Sequence, residues 1–105
     1  MLLIILLVPK GSDEPAANNN ALNGHSVSSV SYDETGRFTK DGESWIEDTK
    51  DGTALRMHEV STEECCVHLR DDMRGMNILL DLTLGRITWQ GDDGKKYYVT
   101  IQGFQ

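Results

Sequence analysis

The chain has 105 residues, 17 Asp and Glu against 10 Lys and Arg, and a formal net charge of −7. That length supports one domain with a modest core. The acid excess argues against gripping a nucleic-acid backbone, which needs clustered cations, and against docking on anionic lipid; it suits a monomer kept soluble by charge.

Residues 1–8, MLLIILLV, are apolar throughout. Eight residues fall far short of the roughly 20 that a spanning helix needs, so no stable membrane span is expected. No Lys or Arg precedes the run and no convincing small-x-small cleavage site follows it, so it reads as an incomplete export signal, with an ordered extra strand or an artefact of the gene start as the other readings. Residues 9–25, carrying both prolines and four asparagines, read as a flexible linker, with His25 solvated. Residues 26–105 read as a single all-β domain.

From residue 26 onward the chain is rich in Val, Ile, Thr, Tyr and Trp, punctuated at Gly36, Asp41-Gly42, Asp51-Gly52, Gly75, Gly85 and Gly94. Asp-Gly between alternating segments marks a hairpin, because a type I′ turn needs positive φ at both central residues. No long segment shows a 3.6-residue period. The expected fold is therefore an antiparallel meander of seven or eight short strands, closing into a small barrel or compact sandwich. Thr-Lys-Asp-Gly occurs at 39–42 and again at 49–52. Neither copy has the D-x-D-x-D-G ladder of a calcium loop, so both read as turns bracketing the strand ESWIEDT.

Alternation assigns the faces. Leu55 and Met57 oppose Arg56 and His58; Cys65, Val67 and Leu69 oppose Cys66, His68 and Arg70; Ile78, Leu80 and Leu82 oppose Asp81. Ile87, Trp89, Tyr97, Val99 and Ile101 continue the inward set. A loop at 61–63 sets His58 across from Cys66, and the next connection sets Cys66 across from Asp81. A turn at Leu84-Gly85 pairs Leu82 with Ile87, Leu80 with Trp89 and Asp81 with Thr88.

His58, Cys66 and Asp81 then form a polar row, with His68 and Arg70 beside it. Imidazole, thiolate and carboxylate are zinc-ligand types, and Cys with His is a nucleophile pair once an orienting group exists, but no metal-binding or catalytic motif is present. Adjacent cysteines on a strand point to opposite faces and do not bond each other there, so both read as free thiols. Free thiols favour a reducing compartment and leave a cytoplasmic location open beside export. Trp45 is either core or a sugar-stacking platform; Tyr98 and Phe104, out of phase with the inward set, are exposed aromatics. The run RDDMR at 70–74 reads as an Asp-Arg lattice holding a turn. A phosphate loop, a nucleophile elbow and a dinucleotide fingerprint are all missing, so no enzyme, cofactor or catalytic residue is expected.

Trp45-x-Glu47, Leu69-x-Asp71-x-x-Arg74 and Leu80-Asp81-Leu82, spread over residues 36–101, resemble a pattern of small all-β accessory modules in secreted bacterial proteins that have no established activity. Where such modules carry an Arg after the second strand's Glu, this chain has Glu59-Val60-Ser61-Thr62. The resemblance implies secreted or periplasmic residence and a binding or spacer role. The expected function is a non-catalytic binding or accessory domain of an exported protein, with carbohydrate or a surface as ligand and Trp45, His58, Cys66, His68, Asp81 and Tyr98 as contact residues. The alternatives are a protein-interaction or spacer module working through its sheet edges, and a small metal-binding domain.

Overall fold

The computed structural model describes residues 22–105, so the apolar segment 1–8 and most of the expected linker lie outside the described residues. Nine strands follow in order: β1 (Ser29–Ser31), β2 (Arg37–Asp41), β3 (Ser44–Asp48), β4 (Ala54–Thr62), β5 (Cys66–Asp71), β6 (Met76–Asp81), β7 (Arg86–Gly91), β8 (Lys96–Thr100) and β9 (Gly103–Phe104). They form one antiparallel sheet in the order β8-β7-β6-β5-β4-β3-β2-β1-β9. The all-β meander is as expected, with a slightly higher strand count. Among the described residues no helix is long and apolar enough to cross a membrane.

The sheet curls into a half-barrel. β2 and β7 stand five strand spacings apart, which on a flat sheet would separate them by about 24 Å. Yet the Phe38 and Trp89 rings lie 6.1 Å apart, and the Tyr32 ring sits 5.6 Å from Phe38 and 5.5 Å from Trp89. The last segment ties the two edges together: β8 pairs with β7, and two residues further on β9 pairs with β1. Gln105 extends this seam through backbone hydrogen bonds with Ser28 and Ser29.

The repeated Thr-Lys-Asp-Gly marks the two ends of β3. Gly42 turns the chain from β2 to β3 at φ 66°, and Gly52 lies in the β3–β4 loop at φ 89°. Both angles are in the region that a side chain disfavours. Asp51 accepts from the Thr49 hydroxyl and the Thr53 amide. These bonds, Thr49 first, hold its carboxyl down to about 2.

Alternation puts two rows across the inner face: Val67, Leu80, Ile87 and Val99, then Leu69, Ile78, Trp89 and Tyr97. Val67, Leu69, Ile78, Leu80, Ile87 and Trp89 of these rows make the core with Val27, Val30, Phe38, Trp45 and Met57, and Val99 packs against it. Tyr97 departs from the expectation, being 57% exposed; it stands on β8, which among the described residues has no further strand beside it on that edge. Leu80 faces Ile87 rather than Trp89, and Asp81 faces Arg86 rather than Thr88. The reason is a turn of four residues, 82–85, where two were expected; the longer turn shifts the partners by two and keeps the apolar face inward.

The core also encloses charge. Glu47 and Asp71 are 3% and 2% exposed, and Arg74 joins them. Its guanidinium donates to Glu47 Oε1 at 2.8 Å and to the Asp71 carboxylate. The Tyr32 hydroxyl donates to Glu47 Oε2 at 2.7 Å. Asp71 also accepts the Met73 and Arg74 amides, fixing the β5–β6 turn. Burial raises the Asp71 carboxyl, but Arg74 and these amides outweigh it and leave the pKa lowered. Burial, then the bond to Glu47, raises the Tyr32 phenol well above its usual value. The expected Asp-Arg lattice is present: Arg70, beside it, binds Asp92 through two nitrogens at 2.9 and 3.0 Å and Asp72 at 3.1 Å. Trp45, Glu47, Leu69, Asp71 and Arg74 are therefore architectural.

Candidate functional site

Outward positions on β5, β6, β7 and β8 build a second set of rows. Ser61, His68, Leu79, Thr88 and Tyr98 run across five strands, and Arg70, Asn77, Gln90 and Lys96 run beside them. β4 contributes a bulge between Glu59 and Ser61, which leaves Val60 60% exposed. Such a bulge bends the strand and sharpens its twist. Between the β4 bulge and β8 lies a groove of about 430 Å³ whose lining includes Ser61, His68, Asn77, Thr88, Gln90 and Tyr98. Arg86 stacks over the Tyr98 ring at 4.7 Å.

This arrangement offers one aromatic face, Leu79 beside it, and hydroxyl and amide groups at strand spacing. Those are the groups that orient a polar ligand with an apolar face. His68 Nε2 lies 3.5 Å from the Glu63 carboxylate, which is not among the residues lining the groove.

Of the six residues expected to contact a ligand, the structure brings two together, His68 and Tyr98. Asp81 lies across from Cys66, as expected, and across from Arg86; its carboxylate caps the next turn by accepting the Leu84 amide at 2.9 Å. His58 is not opposite Cys66. It pairs with Ser44 and Arg70, because β4 runs to Thr62 before the chain turns. Its Nδ1 lies 3.8 Å from Asp72, in a separate depression of about 230 Å³. Trp45 is completely buried. Its indole N–H donates to Glu59 at 2.9 Å, and Lys40 reaches the same carboxylate at 2.7 Å. Burial alone would raise the Glu59 carboxyl, but these two donors leave it lowered. Trp45 is core and has no face to offer a sugar.

The cysteines overturn a stronger expectation. Cys65 and Cys66 are joined by a disulfide, with Cα atoms 3.7 Å apart, and neither is free. Strand alternation does not separate them because β5 begins at Cys66. Cys65 lies in a turn closed by reciprocal backbone bonds between Glu63 and Cys66. Cys66 is the buried member at 4% exposure, and Cys65 is partly exposed. Residues 22–27 cover this turn: the Gly24 amide donates to the Glu64 carbonyl at 2.9 Å. A Cβ at Gly24 would stand 2.2 Å from the Cys66 carbonyl oxygen, so only glycine allows this approach. His25, exposed, reaches the Thr62 hydroxyl at 2.7 Å. Residues 22–25, expected as the end of a linker, thus dock on the domain. The sulfurs lie close to the Glu63 carboxylate, but as a disulfide they supply no thiolate for a metal. The His58, Cys66 and Asp81 ligand set is not assembled.

Sequence reasoning missed Asn77, Arg86, Thr88, Gln90 and Lys96. The signal was present in the period-2 pattern of β6–β8, which puts all five out of phase with the inward set. No protein-family model, curated protein or solved structure matches the chain.

Proposed function

We propose that the protein is a non-catalytic carbohydrate-binding domain that uses the outer groove of β5–β8. The carrying observation is the five-strand row from Ser61 to Tyr98, which sets an exposed aromatic ring among hydroxyls and amides. Tyr98 supplies the stacking face; Ser61, Asn77, Thr88 and Gln90 supply hydrogen bonds. The Cys65–Cys66 disulfide supports a secreted or periplasmic setting, since an oxidising compartment maintains such bonds.

A glycan array and retention on insoluble polysaccharide test the reading. We expect retention that Tyr98→Ala abolishes while leaving the circular dichroism spectrum intact. No retention on any glycan, together with capture of a protein partner, would overturn it. That outcome would favour a module acting through the terminal strand β8, which among the described residues has no further strand on its outer edge and is there open to strand addition.

A further inference from the structure

We infer that the groove takes an anionic glycan, a chain bearing uronate carboxylates; this rests on the carbohydrate reading of the same groove. Charge is distributed unevenly over the molecule. The chain carries 17 acids against 10 bases, yet none of the twelve residues lining the groove is acidic and two, Arg86 and Lys96, are cations. Four cations elsewhere are matched: Lys40 with Glu59, Arg56 with Asp41, Arg70 with Asp72 and Asp92, Arg74 with Asp71 and Glu47. Among the described residues Arg86 and Lys96 make no ion pair within 4 Å. Arg37, Lys50 and Lys95 share that property but do not line the groove.

Position strengthens the inference. Lys96 pairs with Gln90 and Arg86 with Thr100, so the two cations lie on either side of the level of Tyr98. Their levels are four residues apart along β7, about 13 Å. An oligosaccharide stacked on Tyr98 and running along β7 and β8 would place carboxylates toward both. The Arg86 guanidinium already lies over the Tyr98 ring, and its planar fork suits bidentate binding of a carboxylate. A neutral sugar would leave both charges without a counterpart.

The test uses calorimetric titration of the full chain with oligogalacturonate, alginate and hyaluronan oligomers, each beside its methyl-esterified or carboxyl-reduced counterpart. At least one uronate oligomer should bind at least tenfold more tightly than its neutral form, the scale of one charge-assisted hydrogen bond. That binding should weaken as added salt shortens the Debye length from about 30 Å to about 8 Å. Lys96→Gln, which leaves the Arg86–Tyr98 stack intact, should lower uronate affinity by about tenfold, and Arg86→Gln by at least as much. Equal binding of charged and neutral forms, unaffected by Lys96→Gln, overturns the anionic assignment and leaves the carbohydrate reading standing. Retention of neutral glycans alone does the same. Binding of no glycan, charged or neutral, removes both.

Discussion

Replacing Arg74 by Met tests whether the buried network is a condition of folding. The substitution keeps a long apolar side chain but removes the cation that holds Glu47 and Asp71, both within 3% of full burial. Two carboxylates then remain enclosed, with Tyr32 and the turn amides as their remaining donors. Removing one partner from a buried ion pair costs about 3 to 5 kcal/mol, a large share of the 5 to 15 kcal/mol that holds an ordinary domain. At about 4 to 8 °C per kcal/mol for a domain of this size, the melting midpoint should fall by at least about 12 °C. Thermal denaturation followed by circular dichroism reads this directly. Adding Glu47→Gln and Asp71→Asn should restore at least half of the loss, because the amide oxygens still accept from Tyr32 and the turn. A loss under about 1 kcal/mol, the scale of a surface substitution, or a triple variant no better than the single one, would refute the reasoning.

The disulfide makes both cysteines inert to a thiol reagent in the native protein; after mild reduction Cys65 should label before buried Cys66, and equal rates would contradict the burial described. Replacing both by Ser should cost only about 1 kcal/mol, because the loop the bond closes is minimal; a chemical-denaturation midpoint measures it. Stability should decline below about pH 4, the ordinary carboxyl range, as Asp71, Glu59 and Asp51, whose pKa values are lowered in the fold, take up protons. Tyr32 acts at the other end: its pKa is raised, so its contribution is whole below about pH 10 and is lost above it. Tyr32→Phe should therefore flatten the alkaline limb of a melting-temperature profile and leave the acid limb unchanged, and an unaltered alkaline slope would count against the Tyr32–Glu47 bond. Gly52→Ala, at φ 89°, should cost about 1 kcal/mol from the left-handed backbone alone; an unchanged denaturation midpoint would show that the turn adapts.

The fold was legible because its signals are local. Asp41-Gly42 and Asp51-Gly52 need only their own backbone to announce turns, and ILLDL needs only alternation to announce which side faces inward. The Asp-Arg lattice at 70–74 was legible for the same reason. What failed depended on loop length or on segments distant in sequence. A turn two residues longer moved the β6–β7 partners, setting Thr88 across from Leu79 rather than Asp81. The extension of β4 through a bulge carried His58 away from Cys66. Strand alternation forbade a bond between Cys65 and Cys66 only while both were placed on one strand. Trp45 left two readings open, and its burial goes with a curl that brings Phe38 and Trp89 together, which no one-dimensional pattern shows.

Backbone amide chemical shifts during an oligosaccharide titration test the proposed glycan groove on the outer face of β5–β8. Shifts should concentrate at Ser61, His68, Asn77, Thr88, Gln90 and Tyr98, with the core amides of Phe38 and Trp45 and the His58 depression unmoved. Shifts centred on His58, or no shift at any position at millimolar glycan, would contradict it.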